Sequence, residues 1–354
     1  MTFDVISGIL DVKYHLLFLI VFITQEIMKL KNFAWQKIAF ISFSVFLLSQ
    51  ITFAQGVWSP VQRPTSGDLV SAYFTSDSKG WVGGDGGFLA FTTDGGGSWT
   101  KQPLNTVENV NEIYFRNDDN GYLLVGYKIY ITKDGGENWR ENNVLKSSDY
   151  NGLIPEFLSV RFSDKKRGWI VGSLANKNQE VVDSLVLQTQ DSGETWQRVI
   201  IPAKQELYHV DFINDTNGWI VGDNGLILIT ADGGSSWIKQ SSGTNVSLYN
   251  IDFRDSRFGT IVGSEGTILR TEDGGTSWEK IKIATKKSLF RVNFINDKTG
   301  WIVGGSGTIL RTDDKGRTWV TQNIQTADSL FGLYSDKKNG WAVGKKGIIL
   351  KYIR

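Results

Sequence analysis

The chain has 354 residues, and its 38 lysines and arginines almost balance its 37 aspartates and glutamates, so its charge gives no reason to expect a nucleic acid partner. It contains no cysteine and only two histidines, His15 and His209, which excludes disulfides, thiolate catalysis and a cysteine- or histidine-based metal centre. We therefore expect neither a metal nor a cofactor. The 39 glycines and 5 prolines favour an all-β protein with many tight turns.

The N-terminal segment differs in composition from the rest of the chain. Lysines between residues 29 and 37 precede an apolar run at 38–48, and the small-residue pattern Thr52-Phe53-Ala54 follows. That order of charged, apolar and cleavage regions is typical of a signal peptide. The alternative is a membrane anchor, but the apolar stretch at 16–23 is only eight residues long, too short to span a bilayer.

These features divide the chain into three parts. We predict an upstream extension over residues 1–27, a signal peptide over 28–54 and a mature domain over 55–354. Cleavage of the signal peptide would leave the mature domain in the periplasm, on the cell surface or in the medium, with no stable membrane span.

Two short phrases recur along the mature domain. A Gly-Trp phrase or a degenerate form of it occurs seven times, beginning at Gly80, Gly121, Gly168, Gly218, Gly259, Gly300 and Gly340. A second phrase of the form Thr-x-Asp-Gly-Gly-x-Ser-Trp follows six of them, centred on Asp94, Asp134, Asp191, Asp232, Asp273 and Asp314. Repeats of about 40 residues are typical of propeller blades.

Each repeat divides into four short strands separated by glycines and Asn/Asp clusters, which favour turns. In the sixth repeat the predicted strands are 292–295, 301–303, 308–311 and 318–321. The sequence therefore predicts an all-β fold, a seven-bladed β-propeller with four antiparallel strands per blade.

The two ends of the mature domain complement each other. The seventh repeat stops after its third strand, at Leu350-Lys351. Trp58 lies 22 residues before Gly80, the spacing that also separates Trp99, Trp196, Trp237 and Trp278 from the next repeat. We therefore predict that the N-terminal strand completes the last blade and closes the ring, since closure covers unpaired strand edges.

The Asp phrase resembles the Asp-box of sialidases and related propellers, and six carboxylates at regular spacing could suggest catalysis. A structural role explains the pattern better, because each phrase falls in a hairpin between the third and fourth strands. There the carboxylate can accept hydrogen bonds from turn amides and the glycines can take positive φ. The tryptophan that ends each phrase can then pack between neighbouring blades.

The combination of both phrases, carried almost unbroken by Gly300–Trp319, resembles the photosystem II stability/assembly factor family of seven-bladed propellers. The resemblance covers about residues 55–354. It implies a non-enzymatic scaffold that binds proteins, with nascent photosystem subunits as the family's own partners. It also implies a binding surface rich in arginine, for which the candidates are Arg254, Arg257, Arg270, Arg291 and Arg311.

Departures from the repeat locate a first candidate binding site. Trp139 and Gly168 are 29 residues apart instead of 22, and Gly168 and Asp191 are 23 apart instead of 14, which predicts enlarged loops at 141–156 and 174–183. Both should emerge on the face opposite the Asp turns, from blades two and three. Drift in a tolerant loop is the alternative, but these segments are rich in apolar residues. The candidate contact residues are Tyr150, Ile154, Phe157 and Val181.

The central channel is a second candidate site. The innermost strands carry polar residues at alternating positions, and Glu112, His209 and Arg291 are expected to converge near the axis. A hydrogen-bonded structural histidine is the alternative for His209.

We therefore expect an exported, non-enzymatic propeller that binds proteins and acts as an assembly or stability factor for envelope proteins. A glycan-binding propeller and a sialidase-like glycoside hydrolase are the alternatives. The hydrolase is disfavoured because no Arg-Ile-Pro motif precedes the first Asp phrase, and glycan binding because every tryptophan except Trp35 occupies a repeat position.

Overall fold

The computed structural model describes residues 56–142 and 147–353. The predicted upstream extension (1–27) and signal peptide (28–54) lie outside the described residues.

The described chain forms seven antiparallel sheets of four strands. The strands are β1 Val57–Pro60, β2 Leu69–Phe74, β3 Gly80–Gly84, β4 Phe88–Thr92, β5 Thr100–Lys101, β6 Val110–Phe115, β7 Gly121–Val125, β8 Lys128–Thr132, β9 Arg140–Asn142, β10 Ile154–Phe162, β11 Gly168–Ala175, β12 Val181–Thr189, β13 Gln197–Arg198 and β14 Leu207–Phe212. They continue with β15 Gly218–Gly222, β16 Ile227–Thr230, β17 Ile238–Gln240, β18 Leu248–Phe253, β19 Gly259–Gly263, β20 Ile268–Thr271, β21 Glu279–Lys280, β22 Leu289–Phe294, β23 Gly300–Gly304, β24 Thr308–Thr312, β25 Val320–Thr321, β26 Leu330–Ser335, β27 Gly340–Gly344 and β28 Ile349–Ile353.

Short 3₁₀ turns join the second and third strands of five blades, at Asp85–Gly87, Asp223–Gly225, Ser264–Gly266, Gly305–Gly307 and Lys345–Gly347. A further 3₁₀ turn, Ser147–Tyr150, precedes β10. Blades one to six each run in chain order, β2–β5 to β22–β25, and blade seven contains β26, β27, β28 and β1. The predicted seven-bladed propeller is therefore confirmed.

The ring closes as predicted. β1 pairs antiparallel with β28, with Trp58 opposite Tyr352 and Val57 opposite Ile353. The sheet order β1-β28-β27-β26 makes the N-terminal strand the outermost strand of blade seven. No other strand of that blade comes from the start of the described chain, so this single pairing joins the two ends of the propeller.

The core between blades is built from aromatic pairs. Trp219 of blade four stacks on Phe253 of blade five, with ring centroids 3.6 Å apart and planes at 14°. The Asp-phrase tryptophan of blade five, Trp278, contacts the same Phe253 ring edge-on at 5.9 Å. A Cβ on Gly259 would lie only 2.6 Å from the Phe253 ring, so the glycine of the Gly-Trp phrase leaves room for this phenylalanine.

The six Asp turns share one hydrogen-bond pattern. In the first, the Asp94 carboxylate accepts from the Thr92 hydroxyl at 2.7 Å, from the Ser98 amide at 2.9 Å and from the Ser98 hydroxyl at 2.7 Å. These bonds, those from Ser98 foremost, lower the pKa of Asp94 to about 2. An ionised side chain that organises its own turn in this way supports the structural role of the phrase.

The two insertions are more regular than the predicted loops. β10, β11 and β12 continue beyond the usual strand ends, with extra pairs such as Ile154 with Ala175 and Glu156 with Ser173. Half of the expected loop at 174–183 is therefore strand, because the inserted residues extend the ladder of blade three and leave a turn at 176–180.

Candidate functional site

The propeller has two distinct faces. The Asp turns lie on one, which we call the lower face. The turns between second and third strands lie on the opposite, upper face, where the Asp85 amide bonds the Asp68 carbonyl just before β2. Both insertions extend the upper face, as predicted. Their described residues lengthen the start of β10, the end of β11 and the start of β12, so both enlarge strands of blade three and not one blade each of two and three.

Most polar side chains of the innermost strands serve the backbone of the next blade. The Ser71 hydroxyl accepts from the Ile113 amide at 2.9 Å. The side-chain oxygen Oδ1 of Asn250 accepts from the Val292 amide at 2.9 Å. The Asp252 carboxylate accepts from the Phe294 amide at 2.8 Å. These strands have a free inner edge, so the polarity of the channel largely satisfies backbone groups that would otherwise be unpaired.

The predicted trio meets in a channel cavity of about 270 Å³ lined by Glu112, His209 and Arg291. Arg161, from blade three, links two of them. Its guanidinium lies 3.0 Å from a Glu112 carboxylate oxygen and 2.8 Å from Nε2 of His209. The other Glu112 oxygen accepts from the Val160 amide at 2.6 Å.

These contacts fix the charge of the histidine. Burial, and then the neighbouring Arg161 and Arg291, hold the pKa of His209 well below its usual value. The imidazole is therefore neutral at pH 7, and its Nε2 accepts from Arg161 because arginine has only donors. Its Nδ1 is buried without a hydrogen-bond partner among the described residues. This geometry supports a structural role for Glu112 and His209.

Arg291 differs from Arg161 in having no ion pair with another described residue. It lines the channel cavity and also a shallower cavity of about 230 Å³ at the upper mouth. Burial lowers the pKa of Arg291, the negative charge of Glu112 opposes that shift and the positive charge of Arg161 adds to it, and the guanidinium keeps its charge at neutral pH. Arg291 therefore presents an unpaired positive charge at the floor of the mouth.

Four aromatic side chains form an arc around this mouth, one from each of blades four to seven. They are Tyr208, Tyr249, Phe290 and Phe331. Consecutive ring centroids lie 5.1, 5.6 and 5.5 Å apart, and each ring is only partly buried. Partly exposed aromatic rings next to an unpaired charge are typical of contact surfaces for peptides.

Our sequence reasoning missed this arc. Each innermost strand has a register shift at this point, for example between Leu207 and His209, so the residue between them departs from strict alternation. A signal was nevertheless present, because positions 208, 249, 290 and 331 are 41 residues apart and each follows a leucine.

The four predicted insertion residues separate into two pairs. Ile154 and Val181 are 48% and 39% exposed and line one groove between blades two and three. Tyr150 and Phe157 are 4% and 0% exposed and pack in the core between blades two and three. A ligand on this face can therefore contact Ile154 and Val181 directly, whereas Tyr150 and Phe157 support the fold beneath them.

The five candidate arginines lie at different places on the propeller. Three of them stack on one ring at the lower face, that of Phe258, at 5.0 to 5.9 Å: Arg254, Arg257 and Arg270. Arg311 instead lies over Trp301 and pairs with Asp313. Arg291 alone lines the channel, so the five arginines do not form one patch.

Within residues 56–142 and 147–353, no group of three or more histidine, aspartate or glutamate side chains is arranged to hold a metal ion. In the same part of the chain, no helix has the length and apolar character needed to cross a membrane.

The arrangement of seven repeats agrees with one family model. The model of the photosynthesis system II assembly factor YCF48 matches residues 98–204, 189–287 and 285–353, which together cover most of the chain. The chain belongs to this family. The fold and repeat content expected from the resemblance are thus confirmed.

Curated members of the family are distant in sequence. The photosystem II assembly lipoprotein Ycf48 of Synechocystis sp. is 25% identical over 179 residues, which are 49% of this chain and 45% of the relative. The photosystem II assembly protein Ycf48 of Synechococcus sp. (strain JA-3-3Ab) is 29% identical over 121 residues, 32% of this chain and 34% of the relative. The matched region spans about half or less of the length of these curated relatives.

Solved structures share the fold. The structure of YCF48 bound to D1 peptide has a TM-score of 0.67 and 19% identity, over 86% of this chain and 99% of that one. A virginiamycin B lyase from Staphylococcus aureus has a TM-score of 0.70 at 15% identity, over 85% of this chain and 100% of that one. At such identities the likeness shows the seven-bladed architecture alone.

Proposed function

We propose that this protein is an exported, non-enzymatic propeller that binds a segment of an envelope protein at the upper mouth of its channel and acts as an assembly or stability factor. The observation that carries this proposal is the arc of Tyr208, Tyr249, Phe290 and Phe331 beside the unpaired Arg291. The rings offer apolar contact area, and the guanidinium offers a partner for a carboxylate or a backbone carbonyl.

Family membership supports a protein partner. Curated relatives are named photosystem II assembly proteins, and the solved YCF48 structure holds a D1 peptide. For this chain we infer the same class of ligand, a polypeptide segment.

Export is part of the proposal and rests on the predicted signal peptide at 28–54. Several relatives are named lipoproteins, whereas this chain contains no cysteine that could carry a lipid thioether. We therefore infer export through the signal peptide without lipid attachment at a cysteine.

An enzymatic role has less support in the channel. Two of its carboxylates from neighbouring blades, Asp211 and Asp252, accept from the Phe253 and Phe294 amides at 2.9 and 2.8 Å. Side chains that satisfy strand edges in this way are engaged in the fold, whereas glycoside hydrolysis requires a free acid and a free base or nucleophile. Glycan binding remains an outcome of the experiment.

The full chain, immobilised and incubated with an envelope extract, tests the proposal when three forms are compared. Arg291→Gln removes the charge at the mouth, and Arg257→Gln is the matched control, since Arg257 is on the lower face. We expect one protein to be captured by the wild type and by Arg257→Gln but not by Arg291→Gln, with unfolding midpoints unchanged.

Two results would contradict the proposal. Equal capture by all three forms would remove the mouth as the binding site. Capture of glycans alone, or release of sugars from them, would favour a carbohydrate-directed function instead.

A further inference from the structure

A deep groove separates blades two and three on the upper face, with a volume of about 630 Å³. The extended strands β10–β12 form one wall, and the β7–β8 turn with residues 107–109 forms the other. The walls are joined at the floor, where the Phe157 amide donates to the Gly126 carbonyl at 3.0 Å and the Asn111 side chain donates to the Phe157 carbonyl at 2.9 Å. We call this the insertion groove.

Apolar side chains line both walls and face solvent. Ile154 and Val181 stand on the blade-three wall, and Val107 and Tyr127, 85% and 47% exposed, stand on the opposite wall. Four large apolar side chains around one cavity form a patch of the kind that soluble proteins use for contacts with partners.

The charged side chains that line the groove are all acidic among the described residues. Its lining contains three carboxylates, from Glu108, Glu156 and Glu206, and no lysine or arginine among the described residues. Glu206 accepts from the Ser173 hydroxyl at 3.2 Å, and none of the three has an ion pair with a described residue. Lys177 lies on the turn of the blade-three wall but does not line the groove.

These carboxylates also influence one another. Burial raises the pKa of Glu156, and the negative charges of Glu206 and Glu108 raise it further. A cation seated between them would relieve this repulsion, and the apolar walls around it would reduce competition from water.

We propose that the insertion groove binds an extended polypeptide segment in which a lysine or arginine lies next to an apolar side chain. The apolar residue would rest against Ile154, Val181 and Tyr127, and the cationic group would lie between the carboxylates. The inference rests on the proposed function as a protein-binding propeller, but it assigns a second site, with chemistry opposite to that of the Arg291 mouth.

Three synthetic peptides of about twelve residues provide the probes. One alternates lysine with valine and leucine, the second replaces each lysine with glutamate, and the third keeps the lysines but replaces the apolar residues with serine. Each is labelled with a fluorophore and titrated with the full chain while anisotropy is recorded. The variant is Glu108→Gln/Glu156→Gln, and the matched control is Glu265→Gln, on an upper-face turn of blade five.

We expect the lysine–apolar peptide to bind best, and to bind the double variant about tenfold more weakly, since charge-assisted contacts are among the stronger polar interactions. Glu265→Gln should bind like the wild type. Ile154→Ser/Val181→Ser, a second variant on exposed positions, should also weaken binding while the unfolding midpoint stays unchanged.

Other outcomes would overturn the inference. These are equal binding of the glutamate peptide, or equal weakening by Glu265→Gln. This experiment can fail without the proposed function failing. If no peptide binds the insertion groove while a protein is still captured in an Arg291-dependent way, only the insertion-groove inference is rejected.

Discussion

Trp58 on β1 meets Trp301 on β23 edge to face, with ring centroids 5.2 Å apart and planes at 88°. The two residues belong to blades seven and six, so the N-terminal strand closes its own sheet and also fills the interface with the preceding blade. The innermost strand of blade five ends at Phe253, which stacks on the tryptophan of the preceding blade. The innermost strand of blade seven ends instead at Ser335, so this position offers no phenylalanine to Trp301 of blade six. Trp58 and Tyr352 occupy that space instead.

Replacing Trp58 should therefore destabilise the whole ring. We expect Trp58→Ala to lower the free energy of unfolding by about 3–5 kcal/mol, the usual cost of truncating a buried aromatic side chain. Val57→Ala, at the neighbouring exposed position, should stay within about 0.5 kcal/mol of the wild type. Urea denaturation followed by tryptophan fluorescence measures both. Equal stability of the two variants would show that ring closure contributes little.

The Asp turns should affect stability without affecting binding. Asp273 accepts from the Thr271 hydroxyl at 2.7 Å and from the amide and hydroxyl of Ser277 at 2.9 and 2.6 Å. We expect Asp273→Ala to cost about 1–2 kcal/mol, because these donors lose their acceptor. Glu279→Ala, at an exposed position on β21, is the control.

Partner capture by Asp273→Ala should match that of the wild type, since its turn lies on the lower face. Loss of capture by a variant that remains folded at the assay temperature would contradict the structural role of the Asp phrase.

Local sequence signals predicted the repeat, its closure and the convergence of Glu112, His209 and Arg291, but not the aromatic arc at the upper mouth. Glycine and tryptophan at fixed spacing were enough for seven blades, since each blade needs the same turns and the same aromatic pairs. The register shift before His209 could not be predicted from alternation, so the arc that includes Tyr208 and Phe290 was missed. The contact between Arg161 and His209 also depends on how neighbouring blades are offset, which no single repeat encodes.

The insertions illustrate the same limit. Their position on the upper face followed from counting residues between phrases. Whether they formed loops or strands depended on pairing between β10, β11 and β12, and that pairing buried Phe157 while leaving Ile154 exposed. Binding residues in an insertion can therefore be located to a face from sequence, but not to individual side chains.

Asp252 should make stability depend on pH. Burial, and then the charge of Asp211, raise the pKa of Asp252 from 3.8 to about 7. The folded state therefore binds a proton more tightly than the unfolded state, and this residue makes stability fall as the pH rises between about 4 and 7. Asp252→Asn should remove that loss while keeping an acceptor for the Phe294 amide, as Asn293 does for the Ser335 amide in blade six.

We expect Asp252→Asn to be more stable than the wild type by about 4 kcal/mol above pH 7 and nearly equal to it near pH 4. Thermal unfolding across this pH range tests the expectation. A parallel offset at every pH would indicate a packing effect unrelated to titration.

The ion pair of Glu112 and Arg161 should show strong coupling. Glu112 is almost fully buried, and its carboxylate has the Arg161 guanidinium at 3.0 Å and the Val160 amide at 2.6 Å as donors. Arg161→Met keeps much of the side-chain volume but leaves a buried, unpaired carboxylate, so we expect a loss of about 3 kcal/mol. Glu112→Gln/Arg161→Met should recover most of that loss, because an amide still accepts from Val160 and carries no charge.

Arg257→Met, at an exposed arginine on the lower face, should be close to neutral. Urea denaturation of Arg161→Met, Glu112→Gln and the double variant gives the coupling energy. Additive losses would mean that Arg161 stabilises the channel through its contact with Tyr114 at 5.1 Å and not through Glu112.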